Sequence, residues 1–159
     1  MNSSDFKHTI EVLDEFGQSL IDNYKSELEA DNNANGELYK TIRYSVSGGN
    51  SGWVVTISLA DYWKYAEYGR KPGKMPPLDV IERWINVKRI LPRPITLKSG
   101  KSVIPTIRQL SFLIARKIGR EGTQGKHYFE TAFDKAKREF LDKIKEAIQQ
   151  DIIEYLKGA

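Results

Sequence analysis

The 159-residue chain contains no cysteine. That excludes disulfides and thiolate metal sites, and it fits a reducing compartment such as the cytoplasm. Histidine is nearly as scarce, with only His8 and His127. Neither stands in a metal-type spacing such as His-Glu-x-x-His, so no metal site is expected. Gly-x-Ser-x-Gly and Gly-x-Gly-x-x-Gly are both missing. The chain therefore lacks a hydrolase nucleophile elbow and a dinucleotide fingerprint, and no cofactor is expected. No run approaches the roughly 20 apolar residues that cross a bilayer, so no membrane partner is expected. Met1-Asn2-Ser3-Ser4-Asp5 lacks a basic stretch followed by an apolar run, and no signal peptide is expected. Acid pairs such as Glu27 with Asp31 are present, but pairs of this kind usually face solvent. Carboxylates paired only in space, as in glycosidases, are not legible in a sequence. The expectation is a protein that is not an enzyme.

What is present supports a real core. Hydrophobic residues make up 40% of the chain, and eight Tyr, six Phe and three Trp supply large apolar surfaces, which argues against disorder. At this length one domain over residues 1–159 is expected. The formal net charge of +4 hides a strong asymmetry. Residues 1–63 carry four Lys/Arg against ten Asp/Glu; residues 64–126 carry fifteen against four; residues 127–159 carry six against seven. A basic middle of this kind is a solvated loop region, a face for phosphates, or a patch that meets the acidic first third of a neighbouring copy.

Periodicity gives the elements. Ile10, Leu13, Gly17, Leu20, Ile21, Tyr24 and Leu28 recur at helical spacing from about Asp5 to Ala30, with Ser3 or Ser4 as cap and Asp5 in the first turn. The turn formers from Asp31 to Gly36 end that helix. The period then becomes two: Ile42, Tyr44 and Val46, then Trp53, Val55, Ile57 and Leu59, predict a hairpin around Gly48–Gly52. That glycine-rich loop lacks the Lys-Ser/Thr of a phosphate cradle and leads into a strand, so it reads as a turn. Asp61 to Tyr68 predicts a short helix stopped by Gly69. A basic loop follows, then a helix starting at Pro77 with Leu78, Ile81, Trp84, Ile85 and Lys88 on its apolar side. Pro92 and Pro94 prevent its continuation. Ile95–Leu97 and Ser102–Ile104 predict a second hairpin around Lys98–Lys101. Thr106 caps a helix with Ile107, Leu110, Leu113, Ile114 and Ile118 on one face, and Gly119 ends it. A long last helix from about His127 to Lys157 carries Phe129, Phe133, Ala136, Phe140, Ile144, Ile148, Ile152 and Tyr155 on one face. It is expected to lie across its own sheet or to reach a neighbouring subunit. The fold class is α+β, a small antiparallel sheet of hairpins packed against helices, with a long C-terminal helix.

Trp63, Tyr65 and Tyr68 stand among Lys64, Arg70, Lys71 and Lys74, a mixture that stacks on single-stranded nucleic acid or simply packs a short helix onto a sheet. Tyr62, Tyr65 and Tyr68 share one helix side and Trp63 another, so one face cannot bury them all.

Tyr65-Ala66-Glu67-Tyr68-Gly69-Arg70-Lys71-Pro72 resembles the acidic-aromatic-Gly-x-x-Pro signature of the tail-completion, or neck, proteins of tailed bacteriophages. A Pro-Pro helix start and a Trp-Ile helix follow, as in those proteins. Leu113-Ile114-Ala115-Arg116-Lys117-Ile118, then Gly122-Thr123 and Tyr128-Phe129, resembles their second signature. The specific resemblance covers Tyr62 to Phe133, and the order of elements extends it to the whole chain; the Pro-rich hairpin at 91–105 is an elaboration. The resemblance implies a structural virion protein, made in the host cytoplasm and located at the head–tail junction. It implies a homo-oligomeric ring of six or twelve copies, contacting other neck, portal-adaptor and tail proteins, with double-stranded DNA in transient passage. By the same likeness, Tyr65, Glu67, Tyr68, Gly69, Arg70 and Pro72 shape a turn at a subunit contact, and Arg70, Lys71, Lys74, Lys98 and Lys101 face the DNA. The alternative is a small basic nucleic-acid-binding module.

Overall fold

Residues 6–31, 33, 36–49 and 52–158 are described by a computed structural model of the chain. Ser3, Ser4 and Asp5, expected to start the first helix, lie outside these residues, as do Asn32, Ala34 and Asn35 of the expected turn and Asn50 and Ser51 of the glycine-rich loop. The backbone gathers into two units: residues 1–63 with 127–159, and residues 64–126, a continuous stretch inserted between them in sequence. The charge divides at the same boundaries. The first unit carries ten Lys/Arg against seventeen Asp/Glu, the second fifteen against four, balances of −7 and +11.

The first unit is built on α1 (Lys7–Ala30). Leu13, Gly17, Leu20, Ile21, Tyr24 and Leu28 of the expected stripe are buried, and Thr9 joins them. A short helix that periodicity does not betray, α2 (Glu37–Thr41), precedes the hairpin, so Thr41 is helical and Ile42 is a buried link rather than a strand residue. β1 (Arg43–Gly49) and β2 (Gly52–Ser58) pair antiparallel, with Tyr44 opposite Ile57, Val46 opposite Val55 and Gly48 opposite Trp53. The strands thus take in three glycines expected in the loop. Side chains alternate between half-buried and exposed, and the hairpin packs on α1.

Gly17 marks a close approach of hairpin and helix, because a Cβ there would overlap the Tyr44 ring, whose hydroxyl donates to Asp14 Oδ1 at 2.9 Å. Gly17→Val is expected to destabilise the protein by about 2 kcal/mol through overpacking. Thermal melting checks it, and combining it with Tyr44→Ala should recover much of the loss; an unchanged melting temperature in the single variant would sink the argument.

The other partner of α1 is α6 (Tyr128–Gly158), 31 residues and thus about 46 Å long. The two run antiparallel. At one end the Tyr128 hydroxyl donates to Asp31 Oδ2 at 2.6 Å and accepts from Asn33 Nδ2 at 3.1 Å. Burial, and then the Asp31 carboxylate, push its pKa up to about 12. At the other end Asp151, 1% exposed, caps α1: its carboxylate accepts from His8 N at 2.9 Å, Thr9 N at 2.8 Å and Thr9 Oγ1 at 2.6 Å. Burial alone would raise the Asp151 pKa, but these hydrogen bonds outweigh it and hold the group below the usual carboxylate range. Surface pairs Glu15–Lys143 and Glu27–Lys135 follow the same antiparallel order and add little energy.

The buried side of α6 differs in part from the expected one: Ala136 is buried as expected. Tyr128, Ala132, Ala136, Ala147 and Asp151 are buried, whereas Phe133, Ile148, Ile152 and Tyr155 are exposed. Small side chains let two helix axes approach closely, so the alanines take the contact and the bulky residues flank it. Phe129 and Phe140 still pack, against Trp63 and Phe16 respectively.

α3 (Trp63–Tyr68) leads into the second unit, whose core lies between α4 (Leu78–Val87) and α5 (Ile107–Glu121). Ile81, Ile85 and Ala115 are buried there, with Met75, Leu78, Leu110, Ile114 and Ile118 against them. Trp84, expected on the apolar side of α4, is 44% exposed. Thr106 caps α5 in a capping box, accepting from Gln109 N at 3.2 Å while its own N–H donates to Gln109 Oε1 at 2.9 Å. The second hairpin, β4 (Ile95–Thr96) with β5 (Ser102–Val103), is shorter than expected. The fold is α+β. Among the described residues the strands form three separate antiparallel ribbons, the third being β3 (Gly69–Arg70) with β6 (Thr123–Gln124).

Candidate functional site

The β3–β6 ribbon joins two stretches of chain far apart in sequence, residues 69–70 and 123–124. α3 stops at Gly69, whose φ of 75° lies in the left-handed region that favours glycine. The chain then runs beside residues 122–126, with Gly69 opposite Gln124 and Arg70 opposite Thr123. Glycine is required on both sides. A Cβ on Gly69 would strike Thr123 O and come within 2.6 Å of Gly125 N; one on Gly122 would strike Arg70 O; one on Gly125 would strike Glu67 O. The Lys126 N–H donates to Ala66 O at 2.9 Å, which ties the two ends of the inserted unit together. The Gly73 N–H donates to Gly119 O at 2.7 Å and fixes the far side of the basic loop.

Gly119 therefore does not end α5, as expected from sequence. The helix continues to Glu121 and ends at Gly122, φ 75°. Gly119 serves a different need, since a Cβ there would lie 2.8 Å from Met75 Cγ and 3.1 Å from Gly73 O. It is small so that the loop can close over α5.

The residues expected at the site divide by depth. Glu67 is buried, 3% exposed, while Tyr65 and Tyr68 are 60% and 66% exposed. Arg70 is half-buried: its guanidinium donates to Lys74 O and lies 5.9 Å from the centre of the Tyr65 ring, a cation–π contact. Its charge is spent in shaping the loop. Lys71, Pro72 and Lys74 are exposed. Lys98 and Lys101 are exposed on the turn of the β4–β5 hairpin, where Gly100 takes φ 77° and its N–H donates to Leu97 O at 2.9 Å. Trp63 belongs to the first unit and packs on Phe129, whereas Tyr65 and Tyr68 belong to the second. The sequence reading missed Thr123–Lys126 as half of the site. The signal was the pair Gly122 and Gly125, which mark access for an opposing backbone.

Comparison with protein-family models, with curated proteins and with solved structures finds no significant match.

Proposed function

We propose that this chain is a structural subunit of the head–tail junction of a tailed bacteriophage, a tail-completion protein that acts by assembly and not by turnover. The reading is carried by one observation: the two segments that resemble the neck-protein signatures, Tyr65–Pro72 and Gly122–Thr123, interlock through glycines into one rigid element. Two matched segments that are also mutually dependent in space are a stronger likeness than either alone. The exposed Tyr65 and Tyr68 on this element supply amphipathic surface of the type enriched at protein contacts. Opposite charge on the two units supports a head-to-tail ring, which needs two unlike, complementary patches on each copy. In such a ring Lys71, Lys74, Lys98 and Lys101 line the path of DNA, where moderate positive charge neutralises phosphates without arresting passage.

The test is the mass of the purified protein by light scattering, with negative-stain images of the same fractions. Rings of six or twelve copies are expected; a monomer in both assays at high concentration weighs against the ring.

The balance of +11 over residues 64–126 also favours a second reading, a basic nucleic-acid-binding module. That reading expects tight duplex binding whose logarithm falls with log salt at about −0.9 per phosphate neutralised. Under the ring reading, binding by the free protein is weak.

A further inference from the structure

The β1–β2 hairpin has one edge that the rest of its unit leaves open. Among the described residues β1 is the only strand paired with β2, and α1 lies closer to β1 than to β2, with Gly17 against the Tyr44 ring. Alternate residues of β2 therefore turn their N–H and C=O groups outward with no strand to receive them. Natural edge strands are blunted by charge, by proline or by being short. This edge has none of the three: Gly52-Trp53-Val54-Val55-Thr56-Ile57-Ser58 is seven residues long, uncharged and free of proline. Trp53, Val55 and Ile57 are half-buried on one face, and Val54 and Thr56 are exposed on the other. At the C-terminal end of the strand an open hollow of about 350 Å³ is lined by Ile57, Ser58, Leu59, Trp63 and Phe129.

We propose that β2 of a second copy pairs antiparallel along this edge, about a two-fold axis at Val55, and that the two hairpins make one four-stranded sheet. The proposal goes beyond the ring reading and does not depend on it. The occupant follows from the edge itself. Unpaired main-chain groups in a row are met by another extended strand. The strand is also its own complement: centred on Val55, it sets Trp53 opposite Ile57 of the second copy, Val55 opposite Val55, and Val54 opposite Thr56. Aromatic and β-branched side chains thus meet on both faces of the sheet, as in the pairs that stabilise antiparallel strands. The same register brings Trp53 of the second copy to the rim of the hollow at Ile57. Neither strand carries a charge, so no like charges are opposed. The same patch serves both copies, which is what a two-fold contact requires.

The absence of native cysteine gives a clean test. Val54→Cys and Thr56→Cys place thiols at exposed positions of β2. In the proposed register their Cβ atoms lie about 5 Å apart across the axis, within reach of a disulfide, whereas two Val54→Cys copies are two residues out of step and too far apart. The variants are oxidised at about 0.15 M salt, which screens charges beyond about 8 Å. The two single variants mixed should give about tenfold more linked dimer than Val54→Cys alone, because pairing raises the local concentration of the matched thiols. In wild type, amide exchange of alternate β2 residues should slow by about tenfold as the protein is concentrated, since those N–H groups gain acceptors. Linking no better than Val54→Cys alone, or β2 exchange that ignores concentration, overturns the proposal. Preferential linking of Val54→Cys to Ser47→Cys on β1 also overturns it, because pairing then runs from the β2 edge to the β1 edge of the next copy. A ring by light scattering without the Val54–Thr56 link removes this contact and leaves the ring; the link in a protein that stays dimeric keeps the contact and weighs against the ring.

Discussion

Gly69→Ala is expected to destabilise the inserted unit by about 3 kcal/mol or more, while Gly100→Ala costs only about 1 kcal/mol. The two glycines have nearly the same backbone, φ 75° and φ 77°. They differ in what a methyl group would meet. At Gly69 it strikes Thr123 O and crowds Gly125 N; at Gly100 nothing lies within 4 Å. The Gly100 variant therefore measures left-handed strain alone, and the Gly69 variant measures strain plus a clash against backbone that cannot rotate away. Urea unfolding followed by circular dichroism gives both numbers. Hydrogen exchange locates the damage: the Lys126 N–H, bonded to Ala66 O, should lose protection in the Gly69 variant and keep it in the Gly100 variant. Equal stability of the two would refute the interlock. Under the ring reading, Gly69→Ala also abolishes assembly, and Gly100→Ala leaves it intact.

Asp151→Ala should cost about 3 kcal/mol, since it leaves two helix N–H groups and a buried hydroxyl without their charged acceptor. Asp151→Asn keeps part of the cap and should recover part of the loss. The pH dependence follows from the direction of the shift. The Asp151 pKa in the folded state lies below its ordinary 3.8, so the stabilisation is complete above about pH 4 and disappears as pH falls through the folded value. At the other end of the helix pair the sign reverses. The Tyr128 pKa is raised from 10.0 to about 12, so its contribution is complete below pH 10 and lost as pH rises toward 12. Melting temperatures of wild type across acid pH should fall more steeply than those of Asp151→Asn; parallel curves would show that the cap does not titrate as argued.

Local periodicity carried much of the fold. The α1 stripe, the alternation of Tyr44, Val46, Val55 and Ile57, the Thr106 cap and the Gly69 stop all depend on neighbours within a few residues, and each is where the sequence pattern puts it. What escaped depends on distant chain. The cap of α1 is Asp151, which no window around Lys7 contains. The choice of Ala132 and Ala147 over Phe133, Ile148 and Ile152, beside the expected Ala136, as the buried side of α6 reflects how closely α1 approaches. Gly119 reads as a helix stop because glycine usually is one, and only the position of Met75 reveals its use inside α5. At the candidate site the first half, Tyr65–Pro72, was legible. Its partner at Thr123–Lys126 was not, because a two-residue strand has no period to detect.

The cap of α1 also sets an order on synthesis. Thr9 and Asp151 are 142 residues apart. At ordinary translation speeds about 10 s separates their emergence from the ribosome. Throughout that interval the start of α1 has no acceptor for its first N–H groups and no α6 to lie against. The stretch from residue 64 to 126 is continuous and its ends are joined by the Lys126–Ala66 hydrogen bond, so its own contacts do not wait for α6. The side of α1 that meets α6 therefore stays exposed on the nascent chain until α6 emerges.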